Sequence, residues 1–351
     1  MDQFRLIKPA YSASSVKLAI ATFAVFATIC MTASILYLTS ESPLPALHEY
    51  ELEEQEFKNF LKTYNKNYPN EAEYRVRLQN FRENLLFARV HNKLGKTWTL
   101  GVNNFADLSM EEFKHIYLSN SHIPITGVEY FTPEKVEIPT TIDWRQKGAV
   151  TPIKNQGQCG ACWSFSTTAS VEAAWFLSGH TLVSLSEQAL IDCSVSFGTS
   201  GCYGGSYDAG FQYTIKYGLP TGTTYPYVAR SQNCNTALQT KTAAKITQYI
   251  FIQPGSSQAL LNAVAMRPVS VNVEADQAAW MLYKGGIVSS NCGTNLNHSV
   301  NIVGYNTTNV PPYWIVKNSW DTWWGEKGYI RIAIADGNGV CGINMEPVYA
   351  V

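Results

Sequence analysis

Residues 155–163 read Asn-Gln-Gly-Gln-Cys-Gly-Ala-Cys-Trp, and the second cysteine, Cys162, is set up for nucleophilic chemistry. Trp163 opens an apolar-periodic run through Phe165, Ala169, Ala173, Phe176 and Leu177, and Gly179 follows it. That pattern predicts a buried helix with a glycine just past its end. Cys162 then stands at a helix N-terminus, where free N–H groups and the dipole favour an anion. A thiol there is more easily a thiolate, the form that attacks carbon. With a glycine-rich approach and a glutamine donor nearby, these nine residues point to acyl transfer through a thioester.

Taken alone, Cys-x-x-Cys also fits a redox pair or half a zinc site. A thioredoxin-like motif usually has Trp before the first Cys and Pro between the two, and this chain has neither. Zinc takes about four ligands, and no second close pair of Cys or His appears, so no metal and no cofactor are expected.

A nucleophilic cysteine needs a base. Downstream of residue 137 the histidines are His180 and His298. His180 lies in Ser-Gly-His-Thr, just past the expected helix stop, and reads as an exposed loop residue. His298 lies in Leu-Asn-His-Ser-Val-Asn-Ile-Val-Gly-Tyr, just before an apolar run, Val300 to Val303, that reads as a buried strand. The third member of such a site orients the imidazole. Asn318 is offered by Trp-Ile-Val-Lys-Asn-Ser-Trp at the end of another apolar strand, and Trp320 beside it can shield a hydrogen bond.

These strings, with Gly201-Cys202-Tyr203-Gly204-Gly205 and Trp324-Gly325-Glu326-Lys327-Gly328-Tyr329, occur in order across residues 138–351. In them the segment resembles a papain-like cysteine protease of the cathepsin L type. The resemblance implies that Cys162 is the nucleophile, His298 its proton partner and Asn318 the residue that orients His298. It also implies an oxyanion hole made by the Gln156 side chain and the Cys162 backbone N–H, with Trp320 covering the His298–Asn318 contact.

Of the eight cysteines, Cys30 lies in the N-terminal apolar stretch and Cys162 is the candidate nucleophile. An even set beside one reactive thiol suits an oxidising compartment, and sequence alone leaves the pairings open. The resemblance implies Cys159–Cys202, Cys193–Cys234 and Cys292–Cys341.

The N-terminus carries a second strong signal. Leu18 to Leu38 has no charge and is long enough to span a bilayer. Arg5, Lys8 and Lys17 precede it, and Glu41, Glu49, Glu51, Glu53 and Glu54 follow. This asymmetry predicts a cytosolic tail over residues 1–17 and a lumenal remainder. Segment 18–38 is a signal anchor or a cleaved signal peptide. Either way the chain enters the secretory pathway, towards a lysosome-like acidic compartment or the exterior, its precursor a single-pass type II membrane protein if the segment is kept.

Residues 39–137 read as a helical pro-region without cysteine. Phe57, Phe60, Leu61 and Tyr64 share a helical face, and Glu73, Arg77, Phe81, Asn84, Ala88 and Asn92 put one stripe on a long helix. The bland reading is an amphipathic helix with a coiled-coil partner. The stripe also resembles the interspersed motif of cathepsin L-like propeptides, with Ala88 in place of the usual isoleucine. Gly101-x-Asn103-x-Phe105-x-Asp107 matches their second motif. The resemblance implies an inhibitory cap whose following strand runs through the cleft.

Residues 138–351 divide into two halves. Helix-like runs follow Cys162 and recur at Ser186–Asp192 and Tyr207–Tyr217. Strand-like runs fill the second half at Val269–Val273, Val300–Tyr305, Tyr313–Val316 and Tyr329–Ile334. The expected fold is α+β, a papain-like two-lobed peptidase with a helical lobe against a strand-rich, barrel-like lobe. Cys162 and His298 then face each other across a cleft that takes protein and peptide substrates. A net charge of −1 argues against a nucleic-acid partner, and the mature enzyme is expected to be a monomer. The expected activity is that of a cysteine endopeptidase made as a zymogen. By the resemblance, the pocket for the side chain two residues before the cleaved bond is walled by Gly205, Asn272 and Leu296 and floored by Glu346. Asp321 and Trp323 depart from the smaller residues usual on the leaving-group side. Asn306-Thr307-Thr308 is a glycosylation sequon on an expected loop.

Overall fold

The computed structural model describes residues 43–118, 129–131 and 137–351. The apolar segment 18–38 and the tail before it lie outside the described residues, and no helix among the described residues is long and apolar enough to cross a membrane. The described residues up to Thr63 belong to one compact unit and those from Tyr64 onward to another. The first carries helix α1 (Pro43–Thr63), in which the Phe57 and Phe60 rings stack 5.8 Å apart.

The second unit begins with the remainder of the pro-region: α2 (Glu71–Lys93), β1 (Trp98–Leu100) and α3 (Met110–Tyr117). Asn70 caps α2 by accepting from the Glu73 N–H. The polar stripe on α2 is not a coiled-coil face. It grips the backbone that follows. Asn84 Nδ2 donates to the carbonyls of Ala106 and Leu108, both at 2.9 Å. Asn92 donates to Leu100 O and accepts from Leu100 N. Arg77 pairs with Glu73 at 2.7 Å and with Glu112 of α3 at 2.9 Å. Glu112 also closes a capping box with Ser109. Phe81 and Ala88 supply the buried apolar contacts of the stripe.

The remaining strands are β2 (Tyr130–Phe131), β3 (Thr141–Asp143), β4 (Tyr249–Ile252), β5 (Val269–Val273), β6 (Tyr283–Val288), β7 (His298–Asn306), β8 (Tyr313–Lys317), β9 (Tyr329–Ala333) and β10 (Val348–Ala350). They pair in the order β1-β6-β9-β8-β7-β5-β10-β4-β2, with β3 on β7. Strand β1 of the pro-region is thus hydrogen-bonded to the peptidase sheet through β6. Close approach there requires glycine: Gly286 has φ +96°, and a Cβ on it would lie 2.4 Å from the Thr97 carbonyl oxygen.

The helical half holds α4 (Cys162–Leu177), α5 (Glu187–Cys193) and α6 (Tyr207–Tyr217), while α7 (Ser257–Met266) packs on β7 and β4. Trp163, Leu190, Tyr207, Phe211, Leu219 and Tyr225 share one core, which Phe251 and Val348 of the sheet complete. Helix α4 lies between that core and the sheet. Its second face is joined to β5 and β7 by Ser166 Oγ donating to Val300 O at 3.0 Å and by a 2.8 Å contact between the Ser170 and Ser270 hydroxyls. Burial on both sides explains why apolar residues and small hydroxyl side chains lie all round the helix, with Glu172 its one charge.

This is the α+β arrangement the sequence led us to expect, with additions. Strand β7 starts at His298 itself, not at Val300. Strands β1, β3, β4, β6 and β10 and helices α3 and α7 were not anticipated. The disulfides are Cys159–Cys202, Cys193–Cys234 and Cys292–Cys341, and Cys162 is the free cysteine of the described residues.

Candidate active site

Helix α4 is preceded by Ala161, which provides no side-chain cap. Its first N–H groups are therefore left for another acceptor, and Cys162 supplies it. Burial pushes the Cys162 thiol up from its ordinary pKa. The N–H and hydroxyl of Ser299, and the N–H groups of Trp163 and of Cys162 itself, pull the other way. Ser299 follows His298 directly, so the start of β7 and the start of α4 meet at this sulfur.

His298 is buried, and its Nε2 lies 2.8 Å from Asn318 Oδ1. An amide oxygen only accepts, so Nε2 carries the proton. That leaves the lone pair on Nδ1, which has no hydrogen-bond partner. Burial pushes the imidazole pKa down to about 4, and the Asn318 bond acts against that shift. Trp320 lies over the ring, with centroids 4.5 Å apart and planes 24° from parallel. Asn318 is held in turn by the Ser319 N–H, which donates to its Oδ1 at 2.8 Å. His180 stacks on Trp175, with centroids 3.7 Å apart.

Gln156 is fully buried. Its Oε1 accepts from Ser319 Oγ at 2.7 Å, which fixes the amide with Nε2 as the outward donor. That Nε2 donates to Cys159 O at 3.0 Å and to Tyr117 O at 2.9 Å. Tyr117 is the last residue of α3, so the pro-region already holds the donor expected to bind an oxyanion. The next carbonyl, Leu118 O, passes Gly160 closely enough to restrict any Cβ there.

The pro-region also covers Trp320. Phe105 and Phe113 meet its indole edge-on at 5.4 and 5.3 Å, and Phe105 meets Trp323 at 4.8 Å. Phe105, Phe113 and Trp320 are all buried in consequence. Lys114 of α3 adds an ion pair to Asp276 at 2.7 Å.

The residues expected around the specificity pocket are brought together in part. Asn272 Nδ2 donates to Glu346 Oε2 at 2.9 Å, and Ser299 Oγ donates to Asn272 Oδ1 at 2.6 Å. Tyr207 donates its hydroxyl to the Glu346 carbonyl. Leu296 is buried beside Gly342. Gly205 packs flat on Trp163, where a Cβ would lie 2.7 Å from the indole.

Sequence reasoning missed the supports. Glu172, inside α4, and Glu187 bind Lys154 at 2.7 and 2.5 Å. Burial opposes the charge on Lys154, but the two carboxylates outweigh it and raise its pKa. Lys317, next to Asn318, donates to the carbonyl and hydroxyl of Thr151, and Thr151 donates to Glu172. Burial pushes the Lys317 pKa down to about 8. This network ties the helix of Cys162 to strand β8, which ends at Lys317 just before Asn318. Glu172, the one charged residue of a helix that is otherwise apolar or hydroxyl-bearing, was the available signal.

An uncapped helix start under a thiol, an imidazole held by an amide and a pro-segment laid on the neighbouring Gln156 and Trp320 define a cysteine peptidase in zymogen form. Residues 138–351 match the model of the papain family cysteine proteases, and residues 57–113 match the cathepsin propeptide inhibitor domain (I29). The chain belongs to the papain family of cysteine proteases, made as a proenzyme with its own inhibitory propeptide. Senescence-specific cysteine protease SAG39 of Oryza sativa subsp. japonica is 38% identical over 339 residues, covering 93% of this chain and 97% of that protein. Chymopapain of Carica papaya is 40% identical, covering 84% and 86%. Among solved structures, the recombinant stem bromelain precursor superposes with a TM-score of 0.79 at 34% identity, over 85% of this chain and 98% of that one. Procathepsin L 3 of the Tenebrio molitor larval midgut gives 0.76 at 36% identity, over 86% and 99%.

Proposed function

We propose that Cys162, His298, Asn318 and Gln156 carry the endopeptidase reaction. With the pro-region removed, the thiol proton passes to His298 Nδ1, and the thiolate attacks the peptide carbonyl. The oxyanion is held by Gln156 Nε2 and the Cys162 N–H. His298 gives its proton to the leaving amine. Water activated by the same imidazole then hydrolyses the thioester. The observation that carries this reading is the imidazole itself, with one nitrogen engaged by Asn318 at 2.8 Å and the other unengaged.

The mature enzyme starts near Ile138, and residues 39–137 form the pro-region. Segment 18–38 delivers the chain to the secretory route as a signal peptide or an anchor, and the compartment is acidic or extracellular. Asn306 is a candidate glycosylation site: its Oδ1 accepts from the Thr308 hydroxyl and N–H at the end of β7. Glu346 admits arginine as well as apolar side chains two residues before the cleaved bond.

The test is acid incubation followed by thiol alkylation and peptide mapping. The expected result is a new N-terminus near Ile138, a single label on Cys162 and loss of peptide hydrolysis in proportion to labelling. Labelling at Cys159 with hydrolysis intact would overturn the assignment.

A further inference from the structure

The pro-region seats aromatic rings on a surface that the reaction must hand to substrate. Trp320 lies over His298, and His298 protonates the leaving amine. The leaving half of the substrate therefore runs past Trp320. Trp323 extends this surface. Phe105 fits the angle between the two indoles, at 89° to Trp320 and 80° to Trp323. Tyr64 meets Trp323 from another direction, edge-on at 6.4 Å.

The wall is fixed from behind. Asp321 takes a left-handed backbone, with φ +64°, and its N–H donates to Lys154 O at 3.1 Å. Asn155 and Trp320 form a β-bridge. Trp324 is fully buried, stacks on Trp280 at 5.9 Å and donates its Nε1 to Trp280 O. A residue pinned on both sides keeps its place when the pro-region leaves. The departure of Tyr64, Phe105 and Phe113 then opens two indoles to water, which favours a replacement of the same kind.

We propose that Trp323 is a specificity residue: with Trp320 it forms an aromatic corner that selects an aromatic side chain within the first two residues after the cleaved bond. Phe105 of the pro-region occupies that corner in the zymogen. This rests on the catalytic roles proposed above, because the direction of the leaving peptide follows from the role of His298.

The leaving side can be read in isolation. An acyl-enzyme formed from a peptide ester partitions between water and an added amine, and the amine must bind where the leaving peptide was. The activated wild-type enzyme, with working sites counted by Cys162 alkylation, is given phenylalanine amide or alanine amide. Capture of the phenylalanine amide should exceed that of the alanine amide by about twofold to twelvefold, the range for one aromatic pair. Trp323→Ala should bring the ratio to about one, and Trp323→Phe should restore part of it. Internally quenched peptides with Phe or Ala after the cleaved bond should give the same order in kcat/KM. Equal capture by wild type, or an unchanged ratio in Trp323→Ala, would overturn the proposal alone. No turnover of any ester or peptide by the alkylatable wild type would overturn the catalytic reading as well.

Discussion

Gln156 Nε2 donates to the carbonyl oxygen of Tyr117 at 2.9 Å. In the zymogen this bond anchors the end of α3. In the reaction proposed above, the same donor would face the oxygen on which negative charge develops. On that proposal the propeptide inhibits by occupying catalytic hydrogen-bonding capacity as well as by steric cover.

Gln156→Ala should lower kcat by about 10² to 10³, the usual loss for one oxyanion donor, and should weaken inhibition by the pro-region. Ser319→Ala removes the hydroxyl that fixes the amide at 2.7 Å, so it should lose less activity, in kcat and not KM. Steady-state kinetics of the activated variants separates the two. Wild-type kcat in Gln156→Ala would remove Gln156 from the oxyanion hole.

His298 Nε2 donates to Asn318 Oδ1 at 2.8 Å; in the proposed reaction that bond orients the imidazole, while His298 itself moves the proton. His298→Ala should abolish turnover and leave the fold intact by circular dichroism. Asn318→Ala should retain a measurable fraction, because orientation is a partial contribution to the barrier. His180→Ala, stacked on Trp175, should be near wild type. Equal losses from His180 and His298 would remove His298 from its role.

Cys162, His298 and Asn318 stand in strings whose chemistry is local: a cysteine before a periodic apolar run, a histidine and an asparagine beside strands of Val and Ile. The helices at 162, 187 and 207 were readable for the same reason. Strand β1 was not, because Trp98–Leu100 pairs with β6 across a long stretch of sequence, and three residues carry no periodicity. Helix α7 had a signal, Ser256 capping Ala259 N at 3.1 Å, and it was overlooked. The buried cluster of Lys154, Glu172, Glu187 and Lys317 draws charges from four separate segments. No local pattern marks charges that neutralise each other only after folding.

Acid activation needs a proton-binding group, and the catalytic pair is a poor one. Burial holds the Cys162 thiol up and the His298 imidazole at about 4, so the closed site favours the neutral pair. The thiolate–imidazolium pair of the open site holds the same number of protons, and opening by that exchange takes up none. The pro-region offers a trigger instead. Burial tends to raise the Glu112 carboxyl, but the Ser109 N–H and the Arg77 guanidinium outweigh it and hold it below the ordinary carboxylate range. A depressed carboxyl stabilises the fold above its unfolded pKa, near 4.3, and that contribution is lost as pH falls through the folded value. Glu112→Gln should therefore process itself at higher pH than wild type. Its rate should rise less steeply between about pH 5 and 3. Processing followed by gel densitometry across pH checks this, and a wild-type profile in Glu112→Gln would clear Glu112 of the role.

Glu346 ends in a polar clamp. Asn272 donates to its carboxylate at 2.9 Å, and the Tyr207 hydroxyl donates to its backbone carbonyl. The clamp fixes the carboxylate beside Asn272 of β5. In the proposed pocket, apolar walls with this anion at their end would accept two kinds of side chain. Phe or Leu is held by the walls, while arginine runs its methylenes along them and forks onto the carboxylate. Substrates that differ only in Arg or Phe two residues before the cleaved bond should then both be cleaved. Glu346→Gln keeps the shape and removes the charge, so the Arg:Phe ratio of kcat/KM should fall about tenfold or more, the loss of a charged hydrogen bond. Phe cleavage should change little. Tyr207→Phe should reduce the ratio less, since it loosens the backbone of Glu346 and leaves the carboxylate present. An Arg:Phe ratio that survives Glu346→Gln would place the carboxylate outside the pocket, with Asn272 serving only to hold the C-terminal segment against β5.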